Sequence, residues 1–136
     1  MKTKVSSILA VGFLILSVLA CAELRKKNAS RESTPDFEIS VDQLAKEYGD
    51  DPSAADSKYG GRTLAITGQV GEKFLGSSII FAGHQRHGFA TQCIFDKNDP
   101  DSVKKIENGK EVTLLGVCMG RDGNDGPLMI HQCILR

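Results

Sequence analysis

From Thr63 onward the hydrophobic pattern runs with a period of two, and this change of rhythm constrains the fold more than any other feature. Leu64, Ile66, Gly68 and Val70 alternate with Ala65, Thr67 and Gln69, which reads as a first strand. Gly68 inside it suggests a sharp bend or bulge. Ser78 to Phe81 reads as a second, short strand. Phe89, Thr91, Cys93 and Phe95 alternate with Ala90, Gln92 and Ile94 to give a third. Asp99-Pro100 then opens a short helix with Val103 and Ile106 inward and Gly109 as its stop. Val112, Leu114 and Gly116 form the inner face of a fourth strand, and Leu128 to Leu135 form the fifth. The loop Arg121 to Pro127 between them is dense in turn residues.

Two helices precede the strands. Ser40-Val41-Asp42-Gln43 has the spacing of a capping box, so a helix runs through Leu44, Ala45 and Tyr48 to Gly49. Asp51-Pro52 starts a second, carrying Ala54, Ala55 and Tyr59 and ending at Gly60-Gly61. With 136 residues there is room for one domain. The expected fold class is therefore mainly β with short helices. Five strands with a helix between the third and fourth, preceded by two short helices, is the element order of an OB-fold barrel.

The first twenty residues read as an address. Met1-Lys2-Thr3-Lys4 is a basic head, followed by an apolar run from Ile8 to Ala20. That run is shorter than the roughly 20 residues of a membrane-spanning helix and fits a secretory leader. Val18-Leu19-Ala20-Cys21 resembles the bacterial lipobox, in which the Cys thiol takes up diacylglycerol and becomes the new N-terminus. Ala20-Cys21-Ala22 also fits an ordinary A-x-A cleavage site, but that reading leaves the position of Cys21 a coincidence. The expected organisation is a lipoprotein leader over residues 1–20, a polar tether over 21–36 and a barrel domain over 37–136. Ala22 after the Cys points to an outer membrane facing the periplasm if the source is Gram-negative; a soluble periplasmic or secreted protein is the alternative. Arg25-Lys26-Lys27 lies close behind the anchor and reads as incidental charge in a solvated linker, with contact to anionic headgroups as the alternative.

The later blocks carry a family resemblance. Leu44 to Tyr48, Ala54 to Tyr59 and Leu64 to Val70, followed by Gln92 to Phe95, Gly109 to Gly116 and His131 to Leu135, resemble the tRNA_anti-like OB-fold family of exported bacterial lipoproteins. The resemblance covers nearly all of residues 37–136. Its motifs are fold motifs, so it implies the barrel and leaves the activity open. A longer Gly-rich loop before the fifth strand and a His-rich stretch before the third depart from the family pattern.

Chemistry-bearing residues are few. Cys93, Cys118 and Cys133 allow one bridge and one leftover thiol in an oxidising compartment. Cys133 is the shared member, with Cys93 or Cys118 as its partner. A tight hairpin would put Cys118 opposite residues near Leu128, so a 118–133 bridge needs a bulge or slipped register. Gly83-His84-Gln85-Arg86-His87-Gly88 is the most conspicuous short stretch. A metal on His84 and His87, helped by His131 or a thiol, is the second alternative. Nothing on a hairpin loop makes the two imidazoles converge, and the expectation is no metal and no cofactor. Asp122-Gly123-Asn124-Asp125-Gly126 starts like a calcium loop, but the twelfth position holds Cys133 instead of Glu. No nucleophile elbow or phosphate loop is present and no carboxylate pair has a spacing that compels acid–base work, so no catalytic residue and no enzymatic activity are expected.

OB barrels commonly hold single strands by aromatic stacking in a basic groove. Here 17 Lys+Arg balance 17 Asp+Glu, and residues 37–136 hold 11 of the former against 14 of the latter. Phe81 and Phe89, with Lys73, His84, Arg86 and His87 at the rim, are a thin set for a ligand bound mainly through its phosphates. The expectation is a lipid-anchored, non-enzymatic binding or interaction module at the cell envelope. Its partners are the membrane, through the lipid on Cys21, and an envelope protein or small ligand touching Phe81, His84, Arg86, His87 and Phe89. Nucleic-acid binding is kept as the first alternative.

Overall fold

The computed structural model describes residues 34–74, 76–83 and 86–136. The expected leader, the lipid position at Cys21 and most of the tether fall outside these residues. The first element is a strand that the sequence reading lacked: β1, Phe37–Ser40. It is too short for a period-two pattern to stand out, and it forms because β2 offers it an edge. β1 lies parallel to that strand, with Phe37 opposite Leu64 and Ser40 opposite Thr67. Asp36 secures the start, since its N–H donates to Thr63 O at 2.8 Å and its Oδ2 accepts from Thr63 N at 3.0 Å.

The two helices follow their caps. In α1, Val41–Asp50, the Ser40 hydroxyl accepts from Gln43 N, and Val41, Leu44, Ala45 and Tyr48 form the buried stripe. In α2, Pro52–Tyr59, Asp51 accepts from Ala54 N and Pro52 opens the first turn, while Ala55 and Tyr59 face inward. The two are clamped together: Tyr59 Oη and Lys58 Nζ both donate to the Glu47 carboxylate. Tyr48 Oη, deep between them, donates to Asp56 Oδ1 at 2.9 Å and lies 3.3 Å from Cys118 Sγ.

The expected barrel is present. It comprises β2, Thr63–Phe74; β3, Ser78–Phe81; β4, Thr91–Phe95; β5, Glu111–Arg121; and β6, Leu128–Leu135. Between β4 and β5 sits α3, Pro100–Lys104. Neighbouring strands pair in the order β2-β3-β4-β6-β5, and β5 returns to β2 to close the ring. The β4–β6 seam is parallel; the other barrel pairings are antiparallel. Closure leaves β1 as the added strand and removes open edges from the barrel itself.

Three details differ from expectation. The bulge in β2 lies between Val70 and Glu72, at Gly71 rather than Gly68. Gly68 is required by packing instead: a Cβ there would sit 2.5 Å from Val41 Cγ1 and 2.9 Å from Phe81 Cδ1. α3 stops at Lys104, and Ile106 reaches the core from the turn beyond it. β4 begins at Thr91, so Phe89 belongs to the preceding loop. The interior is filled by Leu64, Ile66, Ile79, Phe81, Leu114 and Ile130, and Leu44 and Tyr48 of α1 join the same cluster. Each buried Leu, Ile or Phe among them contributes on the order of 1.5–3 kcal/mol by leaving water.

Candidate ligand-contact surface

The outward face of β3 and β4 follows from their pairing. Ile80 lies opposite Gln92 and Ser78 opposite Ile94, so these four share one side of the sheet. Ile80, Gln92 and Ile94 are half-buried, and Gln92 Nε2 donates to Ser78 Oγ at 3.3 Å. Across the parallel seam, Gln92 faces Met129. Among the described residues, Phe74 on β2 and Met119 on β5 are the large apolar side chains left open, at 38% and 57% exposure.

A groove of about 470 Å³ runs beside this face at the β2 bulge, lined by Gly71, Glu72, Ile80, Ala82 and Ala90. A second, of about 450 Å³, lies near the other end of β4, between the Asp96-Lys97-Asn98 turn and His131-Gln132 of β6. Gln132 has a left-handed backbone, with φ 55°, and its buried Oε1 has no hydrogen-bond partner. Sequence reasoning missed this second groove. The Asp-Lys-Asn turn was visible, but the bulge that turns His131 and Gln132 toward it leaves no mark in the hydrophobic alternation.

The loop after β3 folds onto the start of α1. Arg86 Nη1 donates to Asp42 Oδ2 at 3.4 Å, and His87 Nε2 stands 3.7 Å from Asp42 Oδ1 with no hydrogen-bond partner. Behind them is a recess of about 10 Å³, the room of a single water molecule, between Val41, Asp42, Phe81 and His87. The expected stacking rings are not on offer. Phe81 and Phe89 are 1% and 7% exposed, so both belong to the core and neither presents a free face. The run Ser78-Ile79-Ile80-Phe81 carries three apolar residues in succession and gives no phase, whereas in the structure Ile79 and Phe81 point inward. Phe89 is covered by Arg121, whose guanidinium carbon is 4.2 Å from its ring centre.

Of the expected rim cations, Lys73 and Arg86 are already engaged. Lys73 Nζ donates to Ile106 O at 2.8 Å and to Val103 O at 3.4 Å, where it holds the turn after α3. Arg86 and His87 face Asp42, and His84 lies outside the described residues. His131 belongs to the second groove, away from the residues that line the His87 recess. Among the described residues no group of three or more His, Cys, Asp or Glu side chains is placed to hold a metal ion. No helix among them is long and apolar enough to cross a membrane.

The sequence profile of the tRNA_anti-like family matches residues 1–134. No curated protein matches the chain. Among solved structures, a protein of Klebsiella pneumoniae subsp. pneumoniae, described as a candidate nucleic acid-binding lipoprotein, superposes with a TM-score of 0.58. The match is 17% identical and covers 73% of this chain and 90% of that one, a likeness of fold.

Proposed function

The chain belongs to the tRNA_anti-like family, and from that premise we propose that its OB barrel is a non-enzymatic binding module of the cell envelope, tethered by a lipid on Cys21. The observation that carries the reading is the β3–β4 face, where Ile80, Gln92 and Ile94 form a mixed apolar and polar strip near two grooves. Such a strip suits an extended peptide or a small amphipathic ligand, because it offers apolar area together with a few fixed hydrogen-bonding groups. The anchor rests on the lipobox-like sequence around Cys21 and agrees with the description of the Klebsiella protein as a lipoprotein. A photo-crosslinking side chain at Gln92, on intact cells, tests the surface. A discrete adduct from position 92 that is missing from position 58 on α2 is expected. No adduct at 92, or the same adducts from both positions, overturns the assignment.

A second reading, binding of single-stranded nucleic acid, is favoured by the family and by the description of the Klebsiella protein. The local chemistry weighs against it. The two grooves carry Lys97 as their cation against Glu72 and Asp96, and the phenylalanines are buried. Phosphate neutralisation dominates such affinity and gives it a steep salt dependence. A mobility shift of an oligonucleotide that weakens sharply with added salt would replace the first reading with this one; no shift at low salt supports the first.

A further inference from the structure

Three thiols meet inside the barrel. Cys93 of β4, Cys118 of β5 and Cys133 of β6 are fully buried free thiols. Gln132 decides where Cys133 points. On an uninterrupted strand, Leu128 and Ile130 would be followed inward by residue 132, and Cys133 would face outward. Between the pairs Cys93↔Ile130 and Phe95↔Cys133, β6 carries one residue more than β4. That extra residue, with Gln132 in the left-handed region, turns Cys133 into the core. Gly116 of β5 leaves room for it, since a Cβ there would lie 2.9 Å from Cys133 Sγ. On the β4 side the Cys93 thiol lies beside Cys133; burial first, then this neighbour, pushes the Cys133 thiol well above its usual range. Cys118 is turned to another partner, with its sulfur 3.3 Å from Tyr48 Oη.

We propose that Cys93 and Cys133 form a disulfide in the exported protein, stapling β4 to β6 across the parallel seam, while Cys118 stays a thiol against Tyr48. The oxidising surroundings rest on the envelope location proposed above; the pairing rests on the strand geometry. One thiol gives up its proton and attacks a small-molecule or protein disulfide, R–S–S–R, forming a mixed disulfide and releasing RSH once the leaving thiolate is protonated. The second thiol loses its proton, attacks the protein-side sulfur and releases a second RSH. Two protein thiols are thereby oxidised to one S–S bond while the donor disulfide is reduced to two thiols. Burial disfavours both thiolates, so the exchange belongs to the interval before β6 docks or to openings of the seam.

The test is peptide mapping of the full chain after blocking thiols with N-ethylmaleimide under denaturing conditions. One sample is isolated from cells without reductant. Another is purified reduced and equilibrated with oxidised glutathione in mild denaturant. A linked Cys93–Cys133 peptide with blocked Cys118 is expected in both. Cys118→Ser keeps the link, and Cys93→Ser loses it and leaves Cys133 blocked. A link that includes Cys118, or three blocked thiols after glutathione, overturns the pairing. Blocked thiols in the cell sample together with a Cys93–Cys133 link formed by glutathione support the pairing and count against the envelope location.

Discussion

Gly68 carries more of the architecture than its size suggests. It sits where β2 passes beneath the first residue of α1, and the missing side chain lets Val41 and Phe81 close over the strand. Gly68→Ala forces a methyl group into contacts of 2.5 and 2.9 Å. The expected cost is about 1–3 kcal/mol, the range of an overpacked core. Urea unfolding of the variant measures it, and an unchanged midpoint would show that α1 shifts freely. At this scale the sequence was legible in part. It marked Gly68 as special, but a bend and a close contact leave the same residue in the chain. It also named Phe81 and Phe89 as contacts. One lies in an apolar run without phase, and the other is covered by Arg121, some thirty residues downstream, so neither burial was readable locally.

The secondary elements were the most readable level, because capping and alternation are local signals. Ser40 and Asp51 cap α1 and α2 as their spacing implies, and the five segments read as strands became β2 to β6. β1 was not readable, since four residues acquire their strand character from the β2 edge they pair with. The joint between α1 and α2 makes a prediction of its own. Tyr59 Oη, followed by Lys58, hydrogen-bonds the Glu47 carboxylate and holds its pKa below the ordinary value of a glutamate. A carboxylate depressed in the folded state contributes stability that is fully present above its unfolded pKa and is lost as pH falls through the folded one. Stability should therefore decline on acidification through and below the ordinary carboxylate range, and Glu47→Gln should flatten that part of the profile. Urea midpoints of both proteins across this range check it; parallel profiles would contradict the clamp.

For the molecule as a whole, closure depends on the β4–β6 seam, the parallel joint between strands far apart in sequence. A bond from Cys93 to Cys133 spans that joint. Constraining a loop of this length in the unfolded chain stabilises by about 3–4 kcal/mol in the chain-entropy account. Reductant should lower the urea midpoint of the oxidised protein accordingly and leave Cys93→Ser unaffected; equal midpoints with and without reductant would contradict the staple. The contact face belongs to this scale too, because Ile80, Gln92 and Ile94 become neighbours only when β3 and β4 pair.

The proposed role turns on position: the contact module proposed here is one held at a membrane by a lipid on Cys21. Metabolic labelling with a palmitate analogue, followed by fractionation of wild type and Cys21→Ser, tests this most directly. Label on the wild-type protein in the membrane fraction, with both label and membrane retention lost in Cys21→Ser, is the predicted result. Unlabelled wild type, or label that survives the substitution, would contradict it.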